Sequence, residues 1–391
     1  MMPVTQRAVT AVGVRSILVL LGIGGALALA EFWLRSSVIA QSSSRYPAMY
    51  VGDARTGFRL AKDFDGDMHA DGATYKVFTD SDGWRVANRL PLDPNAVRVA
   101  VIGDSFIFGH LMNYEDSIPA LLQDSLSAVG EPVVVKNFGT PGFCPLEYAS
   151  WVAAEAVSWQ PDLLIIAVYA GNDFLEIDEH GKSSKSVLGG RLLTINNAQQ
   201  SLPNAPSRWL LTHSVLWRRL SKGLELDRHA VARGPVDPCA ALARNHGVAA
   251  DTYLIDPPPE MRGAYEQAET LLAQCLCEAE QHGVTKVALW SLPAPVEYDP
   301  RQFELAKNLC KLEAADYDLN RPSRFLSEVA ARLNVPYFAG IEPLQEHAMQ
   351  HGADGLYTDV HLSALGNRVV CKPMTAWLAG VVRECRGATP R

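Results

Sequence analysis

The stretch "VAVIGDSFIFGH", residues 99–110, runs four aliphatic positions into a glycine, an acid and a serine, then returns to aromatic and aliphatic side chains. An apolar run that stops on such turn formers reads as a buried strand ending in a loop. A serine at the carboxyl end of a strand serves either as a helix cap or as a nucleophile, and this short context does not separate the two.

Outward from it, aliphatic runs recur at 97–102 ("VRVAVI"), 132–137 ("PVVVKN"), 162–169 ("DLLIIAVY"), 284–290 ("VTKVALW") and 335–338 ("VPYF"). Helical patterns fall between them at 115–128, 145–159, 262–282 and 321–333. Continuously apolar strands separated by helices are what a parallel sheet covered on both faces requires. The predicted class is therefore α/β, a three-layer doubly wound parallel sheet.

At 391 residues and 48% apolar content the chain can fill the core of one large domain or two modest ones. Its 43 acids against 35 bases leave a formal charge of -8, which gives no global pull toward nucleic acid. Seven cysteines at scattered positions do not make a disulfide framework. Cys275-Leu276-Cys277 lacks zinc-site spacing and reads as a pair of helix-buried thiols.

Residues 16–30, "SILVLLGIGGALALA", carry no charge, and an apolar helix extends for about 19 residues before Arg35. Arg7 and Arg15 precede it with no acid among them, which predicts a cytoplasmic N-terminus and an extracytoplasmic remainder, periplasmic or at the cell surface. Glu31 is expected at the outer interface. An uncleaved anchor is the expectation; a cleaved signal peptide, which would leave the protein secreted, is the rival, with small residues at Ala28-Leu29-Ala30 and Ile39-Ala40. The predicted organisation is a cytoplasmic stub and anchor over 1–40, a tether and small β-rich preface over 41–96, and the main domain over 97–385. An insertion at 175–261, too long for an ordinary connection, is expected over the cleft. Within it Trp209, Leu216, Trp217 and Leu220 share a helical face, accompanied by Arg208, Arg218, Arg219 and Lys222.

Ligands of a doubly wound sheet sit beyond the carboxyl ends of its strands. Gly103-Asp104-Ser105, "NFGTPG" (137–142) and Gly171-Asn172-Asp173 all fall there, and "TDVHLSALG" (358–366) opens the last helix. Acyl transfer needs a nucleophile, a base to take its proton and an acid to orient the base, roles open to Ser105, His361 and Asp359. In an extended segment side chains at i and i+2 share a side, which would bring Asp359 to His361. The Ser105 N–H, the Gly142 N–H and the Asn172 amide are candidate oxyanion donors. Asp104 and Asp173 read as loop-fixing acceptors and His110 as structural. Taken singly, Ser105 could cap a helix, Asn172 and Gly142 could form turns, and His361 could be structural; the ordered combination is what points to catalysis.

This ordered set resembles the SGNH, or GDSL-type, hydrolase superfamily over about residues 97–380, through Ser105, Gly142, Asn172 and His361. The anchor and the segment before Gly103 are similar to its membrane-anchored bacterial branch. The resemblance implies a flavodoxin-like sheet, no metal or cofactor, and ester hydrolysis or acyl transfer. Many members carry the acid three residues before the histidine, where this chain has Thr358; some polysaccharide O-acetyltransferase relatives use the shorter spacing that Asp359 has, with Asp354 the reserve. No G-x-S-x-G elbow surrounds Ser105, and no phosphate-binding glycine loop with Lys follows the first strand.

The expected function is an extracytoplasmic serine esterase acting on acyl esters, foremost O-acetyl esters, through an acyl-Ser105 intermediate. The expected partners are a small-molecule or carbohydrate ester and, through the N-terminal helix, a membrane. The alternatives are an O-acetyltransferase of cell-envelope or exported polysaccharide, and a catalytically inactive glycan-binding or scaffold protein.

Overall fold

The computed structural model describes residues 4–36, 49–70, 73–87, 96–178, 185–188, 191–194, 210, 214, 216–217, 220 and 250–388. The apolar runs form five strands, β1 (Val97–Gly103), β2 (Val133–Gly139), β3 (Leu163–Tyr169), β4 (Lys286–Leu292) and β5 (Tyr337–Ala339). They pair in parallel in the order β2-β1-β3-β4-β5. This is the flavodoxin-like order, and its direction of winding reverses between β1 and β3.

Every residue of β2 and β3 is buried, as a sheet covered on both faces demands. Neighbouring residues serve opposite cores. Val99, Val101, Leu163 and Ile165 pack with residues of the helices Ile118–Ala128 and Ala364–Ala388, whereas Ala100, Ile102, Leu164 and Ile166 pack with the helix Pro259–Gln281. The period-2 alternation of a strand is thus used on both sides at once.

The element ends differ from the sequence expectation for local reasons. The helix expected from 115 begins at Ile118, after a single 3-10 turn at Tyr114–Asp116, because Ser117 is extended and Pro119 enters at the first turn. β4 starts at Lys286 because the Val284 N–H still closes the preceding helix on the Ala279 carbonyl at 3.0 Å. The helical stretch 145–158 widens into a π-turn at Tyr148–Val152, and Trp151 in that turn stacks on Trp84 with ring centroids 5.2 Å apart. Cys275 is buried but Cys277 is exposed, contrary to the expected pair of buried thiols, since two residues along a helix turn it by about 200°.

Ahead of β1 lie a hairpin, Tyr50–Asp53 with Gly57–Leu60, and a three-stranded sheet of Asp65–Ala70, Ala73–Thr79 and Arg85–Val86. Phe58, Leu60, Met68 and Val77 from these strands, with Trp84 just before the last of them, share one core with Ala100, Ile102 and Phe138. Lys136 on β2 reaches back to Asp80 at 3.0 Å with its side chain almost wholly buried.

The helix Val4–Ser36 includes a 20-residue stretch, Arg15–Leu34, long and apolar enough to cross a membrane. Glu31 accepts hydrogen bonds from the Ser214 hydroxyl at 2.8 Å and the Leu216 N–H at 2.9 Å. Another described part of the expected insertion, the hairpin Lys185–Leu188 with Arg191–Thr194, packs on the Tyr50–Asp53 and Gly57–Leu60 strands. Placement of the insertion over the cleft falls largely on positions outside the described residues; of the expected apolar face, Leu216, Trp217 and Leu220 are described, while Trp209 and the accompanying Arg208, Arg218, Arg219 and Lys222 lie outside them.

Beyond β4, Glu297 is buried and takes hydrogen bonds on Oε1 from the Tyr253 hydroxyl at 2.9 Å and the Ala294 N–H at 2.8 Å, while Oε2 has no partner among the described residues. Burial pushes its carboxyl up to about 8, against the lowering effect of those two donors. A raised acid favours the folded state fully below its unfolded value, and that contribution is lost as pH rises through about 8. Wild-type stability, and with it the melting temperature, should therefore fall between pH 7 and pH 9, by about 1.4 kcal/mol. Glu297→Gln should flatten that fall in thermal melts; parallel curves for the two proteins would contradict it.

Candidate active site

β1 ends in glycine because the chain turns back on itself immediately. A Cβ on Gly103 would lie 2.3 Å from Ile107 Cγ1. The next residue, Asp104, caps the short helix Ser105–Phe108 by accepting the Phe106 N–H at 2.9 Å. Capping therefore belongs to Asp104, and Ser105 occupies the first helical position with its hydroxyl available for other partners. Burial raises the Asp104 carboxyl to about 6, and the Phe106 N–H and the nearby His361 oppose that rise.

Ser105 Oγ lies 2.8 Å from His361 Nε2 and 3.3 Å from Asp104 Oδ2. The hydroxyl has one proton, and the imidazole nitrogen is the closer of its two acceptors. His361 Nδ1 lies 2.8 Å from Asp359 Oδ1, so with its proton on Nδ1 the ring presents a lone pair at Nε2 to the serine.

The Asp359–His361 contact does not arise from an extended segment. Tyr357–Thr358 and His361–Leu362 form a tight antiparallel pair in which Thr358 faces His361. Asp359 sits in the turn at φ +54, in the left-handed region that Asp tolerates better than most residues. There its Oδ1 accepts the N–H groups of Val360 and, at 2.9 Å, of His361, as well as the ring Nδ1. Burial acts to raise the Asp359 carboxyl, but the three donors and the histidine hold it below the usual carboxylate range. Asp354, the reserve acid, instead pairs with Arg301 at 2.7 Å on the surface.

Gly142 follows β2 in the turn Thr140-Pro141-Gly142-Phe143, closed by the Phe143 N–H on the Thr140 carbonyl at 3.1 Å. With Pro second and Gly third at φ +83, this is a type II turn, which needs the glycine. The Thr140 N–H on the Gly103 carbonyl at 3.1 Å ties it to the residue two before Ser105.

Asn172 follows β3. Its side-chain amide donates to Glu176 Oε1 at 3.1 Å, and its Oδ1 is buried with no partner among the described residues. Asp173 fixes this turn by accepting the Tyr169 N–H at 3.0 Å and the Tyr148 hydroxyl at 3.3 Å. Phe106, beside the serine, packs on Tyr169 with ring centroids 4.1 Å apart. Ser105, Asp359 and His361 thus form one hydrogen-bonded chain, flanked by the Gly142 and Asn172 turns at the ends of the two strands adjacent to β1. The site lies at the reversal of winding.

Several supports carry no sequence signal. Asn137 on β2 donates to the Ile107 carbonyl at 2.8 Å and accepts the Gly139 N–H at 2.8 Å, pinning the helix that carries Ser105. Tyr357 donates to buried Asp299 at 2.6 Å and anchors the Asp359–His361 turn to the helix Pro300–Cys310. Asp299-Pro300 is legible only as a helix start. His110, expected to be structural, stands with its ring centroid 4.8 Å from that of His361, and its Nδ1 is 3.0 Å from the Tyr75 hydroxyl.

No family model matches the chain, and no curated protein matches it. Among solved structures it is similar to the acetyl xylan esterase AlAXEase, with 14% identity, 72% of this chain and 99% of that chain covered, and a TM-score of 0.40. It is also similar to a lipolytic protein of the G-D-S-L family from Desulfitobacterium hafniense, with 15% identity, 72% and 98% coverage, and a TM-score of 0.36. TesA aligns with 17% identity, 72% and 97% coverage, and a TM-score of 0.37.

Proposed function

We propose that the protein is a serine ester hydrolase of the SGNH type, and the observation that carries this reading is the unbroken chain Ser105 Oγ, His361 Nε2, His361 Nδ1, Asp359 Oδ1 with both links at 2.8 Å. Ser105 Oγ attacks the ester carbonyl as its proton passes to His361 Nε2, and Asp359 remains ionised beside the imidazolium. The tetrahedral oxyanion draws on the N–H groups of Ser105 and Gly142 and the Asn172 amide. Its collapse breaks the ester bond, and His361 returns the proton to the departing alcohol. Water then attacks acyl-Ser105, gives its proton to His361, and releases the acid while the proton returns to Ser105.

The substrate class is an O-acetyl ester on a carbohydrate, and the site works outside the cytoplasm. The second statement is supported by the apolar Arg15–Leu34 stretch with Arg7 and Arg15 at its N-terminal side. A second reading, O-acetyl transfer to a glycan, is favoured by the short Asp359-to-His361 spacing that some acetyltransferase relatives are expected to share. Both readings use the same acyl-enzyme and differ only in what reaches it at deacylation.

The test is a panel of acetyl and longer acyl esters, run with and without a glycan acceptor while free acid and acylated glycan are measured. Hydrolysis predicts acetate at the same rate with and without acceptor, and faster turnover of acetyl than of longer chains. Acetyl glycan formed in place of acetate would select the transferase, and no turnover of any ester by folded protein would leave only the inactive scaffold.

A further inference from the structure

Arg85, in the small sheet that precedes β1, is completely buried, and no carboxylate lies within ion-pair distance of it among the described residues. Such a charge is costly to bury unless polar groups solvate it. Here backbone carbonyls do so at both terminal nitrogens, while the buried Nε has no partner among the described residues. Nη1 donates to Phe108 O at 2.7 Å and Gly109 O at 2.5 Å, and Nη2 donates to Met112 O at 2.8 Å and Lys76 O at 3.0 Å. The guanidinium also lies over the Phe108 ring, 4.6 Å from its centroid.

Three of those carbonyls belong to the turn that leaves the Ser105 helix, where the last carbonyls have no helical partner. The same turn bonds back to the serine. The Gly109 N–H at 3.1 Å and the His110 N–H at 2.9 Å both donate to the Ser105 carbonyl. Gly109 holds the left-handed conformation at φ +80, and a Cβ there would meet Arg85 Nη1 at 3.0 Å. One peptide group therefore separates the guanidinium from the backbone of the proposed nucleophile. From the same small sheet the Tyr75 hydroxyl reaches His110 Nδ1, whose ring stands beside His361.

We infer that Arg85 is a positioning residue of the active site, setting the Ser105 helix through the carbonyls of Phe108, Gly109 and Met112, with Tyr75 supporting the same turn through His110. The inference rests on the catalytic reading of Ser105. It makes the residues before β1 a working part of the site, since Arg85 is supplied from outside the parallel sheet.

The test uses the full chain and an active-site fluorophosphonate, with folding checked by circular dichroism. Arg85→Met keeps the volume and removes the fork, and a displacement of the serine by about 1 Å is worth roughly 10²-fold in rate. The labelling rate and kcat of Arg85→Met should fall by tens-fold to a hundredfold while KM changes by less than about threefold, because the substrate-binding surface is untouched. Arg85→Lys, which retains charge but not the planar fork, should recover only part of the loss. Tyr75→Phe should lower kcat several-fold, again at constant KM.

Wild-type labelling and kcat in folded Arg85→Met and Arg85→Lys would overturn the inference, as would a loss that falls on KM alone. Should Arg85→Met fail to fold, Arg85→Lys and Tyr75→Phe decide by the same criteria. Ser105→Ala runs alongside: if it labels like wild type, the catalytic reading has failed, whereas labelling that depends on Ser105 but not on Arg85 removes only the positioning role.

Discussion

His361→Ala should reduce kcat for an activated acetyl ester by about 10⁶-fold, and Ser105→Ala should reduce it by as much, while the double substitution costs no more than either alone. The scale is the one known for the serine and histidine of a protease triad, which act as a unit. Here non-additivity follows from the 2.8 Å link between Ser105 Oγ and His361 Nε2. Without the imidazole the described base left to the hydroxyl is Asp104, whose Oδ2 stands at 3.3 Å while its Oδ1 holds the Phe106 N–H. Steady-state kinetics on the two single variants and the double variant measure this directly. A double variant that loses the product of the single losses would show the residues acting independently.

Asp359→Asn should cost about 10⁴-fold in kcat, because an amide at this place leaves the imidazole in the wrong tautomer and its cation without a counter-charge. Asp354→Asn should leave kcat unchanged, since that carboxylate faces Arg301 on the surface. The depressed acidity of Asp359 adds a stability effect of definite sign. A carboxylate lowered in the folded state favours folding above its unfolded value, and that contribution is lost as pH falls through the carboxylate range. Wild type should therefore lose more stability than Asp359→Asn between pH 5 and pH 3. Equal kcat losses for Asp359→Asn and Asp354→Asn would withdraw the assignment of the acid.

The parallel sheet was legible because a strand buried on both faces must be apolar at every position, and "VVV" and "LLIIAV" satisfy that without help from distant residues. Ser105, Gly142, Asn172 and His361 were legible because each stands at a strand end or helix start marked by turn formers. The route from Asp359 to His361 was not. The expected i, i+2 alternation applies to extended backbone, whereas this aspartate turns left-handed and collects three donors on one oxygen.

Arg85 was hidden for a related reason. In "DGWRV" it reads as an ordinary strand residue, and nothing local tells that three of its four carbonyl partners are 23 to 27 residues away in the chain. Asn137 and the Asp299–Tyr357 bond are likewise products of packing, joining segments 30 and 58 residues apart.

Acyl-enzyme formation is the step on which the whole reading turns, and trapping it is the most direct measurement. The protein is mixed with an activated acetyl ester, quenched in acid within milliseconds, digested and mapped by mass spectrometry. One acetyl group is expected on the peptide containing Ser105 in wild type and none on that peptide in Ser105→Ala. Ester turnover with no acetyl on Ser105 at any quench time, or acetylation at another residue that persists in folded Ser105→Ala together with full activity, would contradict it.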